Sequence, residues 1–203
     1  FDFPADSSGL VVSGTSIATL IALKAARDRL TDFDGRKSGC PAKLVGYTST
    51  QTHSCVARTF AILGIGSDAL RKIPVNAGFE IDCGALQDAI AKDKAAGLTP
   101  FVVIGTAGAV NVGAIDDLDQ LADISKSHDL WFHVDGAFGA PGMLSDQLRP
   151  KLTGLSRADS IAFDFHKWLH VNYDAGMIMM RSEDIHRRTF SERPDYLKGA
   201  DRG

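Results

Sequence analysis

The chain of 203 residues is long enough to bury a substantial core, and its hydrophobic content of 44% is ordinary for a globular domain. A formal net charge of -3 leaves no basic face for nucleic acid or an anionic membrane surface, and no apolar run reaches the roughly 20 residues of a membrane helix. Three cysteines without metal-site spacing favour neither a disulfide framework nor a zinc site, so we expect a cytoplasmic protein that acts on small molecules.

Strand and helix patterns alternate along the chain, and the apolar run over residues 101–106 is typical of a strand covered on both faces. Asp82 is a suitable N-cap for the helix that follows it. In chain order, the predictions are a loop and helix over 13–27, a strand over 43–47, a helix from the polar segment 49–54 through 63, a strand over 71–75, a helix over 84–96, a strand over 101–106, a helix over 117–128, and strands over 130–135, 160–165 and 176–180.

This alternation predicts an α/β fold, specifically a three-layer α/β/α domain with a mostly parallel sheet over residues 1–203. The strand over 176–180 follows its predecessor too closely for a helical crossover, so we expect it to pair antiparallel. Because the chain starts at Phe1 rather than Met, we expect a single domain cut from a longer protein.

Two candidate ligand-binding positions lie where open α/β sheets bind ligands, beyond the carboxyl ends of strands. Thr15 and Ser16 begin a helix whose free N–H groups suit a phosphate, although an ordinary helix cap explains them equally well. Asp135 ends an apolar strand and precedes two small residues, so its carboxylate can face a flat cavity. A turn or cap is nevertheless the commoner role for such an aspartate.

Two further candidates are a lysine and a histidine. Lys167 follows an apolar strand and is flanked by His166 and Trp168. Most lysines are solvated, but one held in a cleft with cationic neighbours has a lowered pKa and can attack a carbonyl as the neutral amine. His53 heads a predicted helix, where it can act as an aromatic plate, a proton donor or a simple cap.

The order of these residues resembles the group II decarboxylases that depend on pyridoxal 5'-phosphate (PLP), a family that includes aromatic-L-amino-acid, histidine and glutamate decarboxylases. The most specific matches are His-Val-Asp-Gly-Ala-Phe-Gly at residues 133–139 and Asp-Phe-His-Lys-Trp-Leu at residues 164–169. The resemblance extends over essentially the whole chain, from 13–16 to 194–198. It implies the large domain of fold-type I PLP enzymes, which is similar to that of aspartate aminotransferase.

The resemblance also implies roles for individual residues. Lys167 would hold the PLP aldehyde as a Schiff base, and Asp135 would pair with the protonated pyridine nitrogen, which keeps the ring able to accept electrons. His53 would stack on the ring face opposite Ala137 and take part in proton transfer. Thr15, Ser16 and His166 would lie near the phosphate, and these assignments make Lys167, His53 and Asp135 the catalytic residues.

Two departures from the family pattern stand out. The usual Gly-Thr-Thr reads Gly-Ala-Val at residues 108–110, which removes a hydroxyl that Thr106 or Asn111 could replace. Many relatives carry asparagine where this chain has Asp164, an anion in a region arranged to receive phosphate. Asp164 is therefore expected either to accept a helix or loop N–H or to cost the site a phosphate contact.

The function implied is decarboxylation of an L-amino acid, with an aromatic substrate favoured, by a homodimer. A PLP-dependent carbon–carbon lyase or an aminotransferase remains an alternative, because such enzymes share the aspartate and the lysine. A non-catalytic α/β binding module is the alternative from another class, and the segment 13–16 lacks the glycine fingerprint that a nucleotide-binding module would carry. The amino acid itself is not determined by the sequence.

Overall fold

A single mixed sheet organises residues 1–191, the part of the chain that the computed structural model describes. Residues 194–198, which contribute to the family resemblance, lie outside the described residues. The strands are β1 (Ser8–Val12), β2 (Leu44–Ser49), β3 (Leu70–Ile73), β4 (Thr99–Thr106), β5 (Trp131–Asp135), β6 (Ser160–Asp164) and β7 (Gly176–Met180).

The strand order is β1-β7-β6-β5-β4-β2-β3. The run from β6 to β3 is parallel throughout, and β7 pairs antiparallel with both of its neighbours. The predictions of a mostly parallel sheet and of an antiparallel strand over 176–180 are therefore confirmed. Because β1 runs opposite to β7, it runs in the direction of β6 and delivers the chain to the edge where β4, β5 and β6 end.

Helices cover both faces of the sheet, which confirms the three-layer α/β class. One apolar cluster packs α1 and α3 against residues such as Val102 and Ile104 of β4, and a second packs α4 and α5 against Val103 on the opposite face. No helix among residues 1–191 is long and apolar enough to cross a membrane. The helices are α1 (Thr15–Arg29), α2 (Gly35–Ser38), α3 (Cys55–Ile62), α4 (Cys83–Ala95), α5 (Leu118–Ser127) and α6 (Glu183–Phe190).

Side-chain caps set the starts of three helices. Asp82 accepts a hydrogen bond from the Ala85 N–H at 3.0 Å, as predicted, and Asp117 caps α5 in the same way. Ser182 caps α6. Each cap satisfies an N–H that lacks a partner inside its own helix, so the helix can begin at that residue without a desolvation cost.

The sequence predictions missed β1, the four-residue α2 and α6, and they began the second helix too early. Residues 49–54 are not helical, because α3 begins at Cys55. The five-residue β1 carries a weak pattern by itself and gains its hydrogen bonds from β7, which lies far along the chain. Its existence is therefore a tertiary effect.

Two glycines bring the start of α1 against the start of β7. A Cβ placed on Gly176 would lie 2.4 Å from the Cα of Gly14, a separation that real Cβ atoms do not reach. The contact therefore requires glycine at position 176. It holds the N-terminus of α1 close to the carboxyl end of β6, because Gly176, the first residue of β7, pairs with Asp164, the last residue of β6.

We expect Gly176→Ala to reduce the free energy of unfolding by about 1–3 kcal/mol, since the new methyl group must push the α1 start away from β7. Gly84→Ala is the matched control, because its Cβ would meet only the flexible Asp82 side chain, at 3.3 Å, within a helix. That change should be neutral or stabilising by up to about 1 kcal/mol. Chemical denaturation of both variants measures the difference, and equal stabilities would contradict the close contact.

A buried polar network fastens α1 to the middle of the sheet. Ser160 Oγ accepts a hydrogen bond from Trp131 Nε1 at 2.8 Å and also lies 2.8 Å from Nδ1 of His133. The Nε2 atom of His133 lies 3.4 Å from Thr19 Oγ1 on α1. His133 is fully buried, and burial lowers its pKa from 6.5 to about 3, so the folded protein keeps this ring neutral.

This lowered pKa predicts a loss of stability in mild acid. Between pH 3 and 6.5 the unfolded chain binds a proton at His133 that the folded chain does not, so stability rises with pH through this window. Below about pH 6, His133 should contribute a slope of up to about 1.4 kcal/mol per pH unit. Comparing unfolding free energies of wild type and His133→Asn from pH 4 to 8 isolates this slope, and parallel curves would contradict the assignment.

Candidate functional site

One cavity of about 450 Å³ lies where β4, β5 and β6 end and α1 begins. Ligands of parallel α/β sheets bind at this edge, because the strands present their loops there. The cavity brings together all of the site residues predicted from the sequence: Thr15, Ser16, His53, Thr106, Asp135, Ala137, His166 and Lys167.

The first turn of α1 forms one wall of the cavity. The Thr15 N–H donates a hydrogen bond of 2.7 Å to Oδ1 of Asp164, which confirms the expectation that this carboxylate accepts a helix N–H. Thr15 itself is buried, and among residues 1–191 its Oγ1 has no hydrogen-bond partner. Ser16, the next residue, is exposed at the cavity. The wall therefore offers the unpartnered Thr15 hydroxyl beside an anion that belongs to the protein.

Lys167 reaches into the cavity just after β6. Its Nζ lies 2.8 Å from Oδ2 of Asp164 and 4.3 Å from the centre of the Phe138 ring. The side chain keeps 23% of its surface exposed. The expectation of a cleft lysine is met, but the expectation of cationic neighbours is wrong for the closest contact, which is a carboxylate.

Asp135 lies at the carboxyl end of β5 and is buried. Its Oδ1 accepts a hydrogen bond from the Ala137 N–H at 3.2 Å, so the aspartate does form a turn contact. Burial raises its pKa, while that N–H, Lys167 and His53 act in the opposite direction. A buried carboxylate with one long hydrogen bond is incompletely satisfied, and a cation or a protonated nitrogen in the cavity would stabilise it.

The His166 ring is oriented by two neighbours. Its Nδ1 accepts a hydrogen bond from the Ala175 N–H at 2.9 Å, and its face stacks on Tyr173 with ring centres 4.0 Å apart. In the neutral ring the proton must therefore be on Nε2, which lies 3.6 Å from Oδ2 of Asp164. His166 can donate from Nε2 toward an anion in this part of the cavity.

His53 precedes α3 and faces the cavity from its other side. Its Nδ1 accepts a hydrogen bond from the Cys55 N–H at 3.3 Å, so the neutral ring carries its proton on Nε2. The sequence presented a contact with the start of the helix and a place in the cavity as alternatives for His53, and the structure shows both. Burial raises the pKa of the neighbouring Cys55 thiol to about 11, which keeps it protonated and a poor nucleophile near pH 7.

A buried aspartate fixes the end of β4. Asp116 accepts hydrogen bonds of 2.7 Å from the N–H groups of both Thr106 and Ile81, and burial raises its pKa to about 6. The Thr106 hydroxyl is buried without a partner among the described residues and lines the cavity. Asn111, the other residue considered as compensating for the missing hydroxyl, lines a neighbouring cavity instead.

Three contributors were not singled out from the sequence: Phe138 beneath Lys167, Tyr173 on His166, and Asp116 behind Thr106. Phe138 lies within the 133–139 motif and Tyr173 follows the 164–169 motif, and these positions are a usable signal. Asp116 carries no such signal, because its role depends on the backbone N–H groups of Ile81 and Thr106, which are remote from each other in sequence.

The groups that line the cavity suit the binding of a flat, charged ligand. An amine, a buried carboxylate, two histidines and unused hydroxyls at a helix N-terminus can bind a ring that carries an aldehyde, a basic nitrogen and a phosphate. This set of groups is present without any contribution from outside residues 1–191.

Comparisons with known proteins point in the same direction. A sequence profile of the pyridoxal-dependent decarboxylase conserved domain matches residues 2–203. The chain is 38% identical over 199 residues to the aromatic-L-amino-acid decarboxylase of Bacillus atrophaeus, covering 98% of this chain and 40% of that protein.

Two solved structures share the fold. The glutamate decarboxylase domain of diaminobutyrate-pyruvate transaminase and L-2,4-diaminobutyrate decarboxylase from Vibrio parahaemolyticus superposes with a TM-score of 0.89 at 34% identity, covering 94% of this chain and 43% of that one. Oryza sativa TDC with PLP and tryptamine superposes with a TM-score of 0.86 at 30% identity, covering 95% and 40%.

The chain thus spans less than half the length of the proteins that it matches. The family profile nevertheless covers nearly all of it, and identity and fold agree with that match. The chain belongs to the pyridoxal-dependent decarboxylase family.

Proposed function

We propose that residues 1–203 are the cofactor-binding large domain of a longer enzyme that uses PLP to remove carbon dioxide from an L-amino acid and release the amine. The observation that carries this proposal is that the Lys167 amine and the buried Asp135 carboxylate line the same cavity. Family membership supports decarboxylation over the carbon–carbon lyase, aminotransferase and non-catalytic alternatives.

The residues of the cavity fit the cofactor. The Thr15 and Thr106 hydroxyls are buried without partners among the described residues, as expected of groups that bind a ligand. Asp135 lacks a strong partner of its own. When bound, PLP supplies an aldehyde that bonds covalently to an amine and a cationic ring that accepts the electrons of a breaking bond.

We assign each residue a task that its geometry permits. Lys167 would provide the amine for the aldehyde, and Asp135 would hold a proton at the ring nitrogen. The positive charge of the protonated nitrogen would offset the cost of burying the Asp135 carboxylate. His53 would pack against one ring face, with Ala137 on the other. It carries its proton on Nε2 and so can exchange that proton with a reacting carbon.

Around the phosphate, Thr15 and Ser16 would donate their hydroxyls and His166 its Nε2 proton. Thr106 would contribute its hydroxyl near the ring and make up for the hydroxyl absent at residues 108–110. Tyr173 would keep the His166 ring in place by stacking, which reduces the entropy lost when the anion binds.

The substrate is proposed to be an aromatic amino acid, because relatives named for aromatic substrates match nearly the whole chain. From the family resemblance we propose a homodimer, and from the three cysteines without disulfide or metal-site spacing we propose a cytoplasmic location. Sedimentation of the full-length enzyme and fractionation of the source cells test these two proposals, and a monomer or a secreted protein would contradict them.

The covalent role of Lys167 is tested on full-length protein incubated with PLP. A visible absorbance band that survives dialysis, and that borohydride reduction converts to a PLP adduct on Lys167, is expected in wild type and absent in Lys167→Ala. Lys72→Ala is the control, because burial lowers the pKa of Lys72 and this lysine does not line the cavity. An adduct on another lysine, or none, would refute the assignment.

The role of Asp135 is tested by carbon dioxide release from a panel of aromatic amino acids, histidine and glutamate. We expect Asp135→Asn to retain the Lys167 adduct but to lower kcat by about 100-fold, the order of a lost charge contact in a transition state. Asp159→Asn is the matched control, because burial raises the pKa of Asp159 too, but at the opposite end of the sheet. Unchanged turnover in Asp135→Asn would contradict the proposed pairing.

A further inference from the structure

Asp164 is a charged group of the cavity wall that also contains Thr15, His166 and Lys167. It ends β6, and its side chain is only 3% exposed. One carboxylate oxygen accepts the Thr15 N–H at 2.7 Å, and the other lies 2.8 Å from Lys167 Nζ. A single carboxylate therefore joins the first N–H of α1 to the amine that is proposed to react.

The same N-terminal turn has the properties of an anion site. Thr15 lines the cavity and is only 5% exposed. Its hydroxyl has no hydrogen-bond partner among residues 1–191. Nε2 of His166, which carries the proton of the neutral ring, lies 3.6 Å from Oδ2 of Asp164. An external anion at this turn would meet a carboxylate that already uses the Thr15 N–H, and two anions in contact repel each other.

We propose that Asp164 occupies part of the phosphate position in the cofactor-free protein and holds Lys167 there, so that the incoming phosphate must displace it and thereby frees the amine. Asp164 is a positioning residue in this scheme, since it acts through Thr15 and Lys167. The inference rests on the proposed function for the identity of the anion, but the competition itself concerns only residues of this chain.

Two features explain why displacement can release the lysine. The two oxygens of the Asp164 carboxylate contact the Thr15 N–H and the Lys167 Nζ, so a shift of this one group breaks both contacts together. Lys167 retains a second favourable contact, because its Nζ lies 4.3 Å from the centre of the Phe138 ring, a cation–π distance. The amine can therefore remain inside the cavity, near the Phe138 ring, after its contact with Asp164 is broken.

The first measurement is the affinity of the cofactor-free, full-length protein for inorganic phosphate, determined by titration calorimetry. We expect Asp164→Asn to bind phosphate about 10-fold more tightly than wild type, because the variant lacks the competing charge. Asparagine keeps an oxygen that can accept the Thr15 N–H, so the start of α1 should be preserved. Asp164→Ser serves as a second neutral variant if the first folds poorly.

Asp159→Asn is again the matched control. Asp159 lies just before β6 rather than at its end, is partly buried, and also accepts a backbone N–H at 2.7 Å, from Phe132. The control variant should bind phosphate as wild type does. Equal phosphate affinity in the Asp164 and Asp159 variants would overturn the proposed competition.

The second measurement is the reactivity of Lys167 toward limiting acetic anhydride in the cofactor-free protein, read by peptide mass spectrometry. Lys24, which is ion-paired with Asp28, provides the internal reference. Relative to Lys24, acetylation of Lys167 should rise about 5-fold or more in Asp164→Asn, as expected when an ion pair no longer holds the amine. Saturating phosphate should raise it in wild type as well, whereas Asp159→Asn should behave as wild type.

Both measurements omit PLP, so their failure is distinguishable from failure of the proposed function. A PLP adduct on Lys167 together with unchanged phosphate affinity and unchanged acetylation would refute the role of Asp164 and leave the decarboxylase proposal intact. Tighter phosphate binding and faster acetylation without any PLP adduct would do the reverse.

Discussion

The hydrogen bond from the Thr15 N–H to Asp164 joins residues 149 positions apart, and the site is built around this junction. It places the positive end of α1 at the edge where the parallel strands finish. The contact between Gly14 and Gly176 allows the approach, since no side chain stands between the helix and β7.

The two buried carboxylates of the cavity differ in how they are satisfied. Asp164 has a short helix N–H and a lysine amine, whereas Asp135 has one N–H at 3.2 Å. Burial raises the pKa of Asp135, as expected of a carboxylate whose charge is poorly compensated within the protein. The cavity therefore combines a carboxylate that is paired within the protein with one that a cationic ligand would pair.

The sequence predicted the central strands and a set of residues that line one cavity, for a shared physical reason. Strands covered on both faces must be apolar along their whole length, and polar residues such as Asp135 are conspicuous directly after them. The strand β1 and the helix α6 were missed because each is short and depends on partners far along the chain. The position of Asp116 behind Thr106 was hidden for the same reason.

The sequence by itself determined the α/β class, the membership of the cavity and the likeness to PLP-dependent decarboxylases, because these follow from local hydrophobic patterns and from short motifs. Only the tertiary structure decided what the charges contact. A carboxylate at position 164 could have faced a loop, a helix or a phosphate, and its hydrogen bond from Thr15 exists because β1 and β7 bring α1 beside β6. That contact depends on the distance between segments 149 residues apart, which a local sequence pattern does not determine.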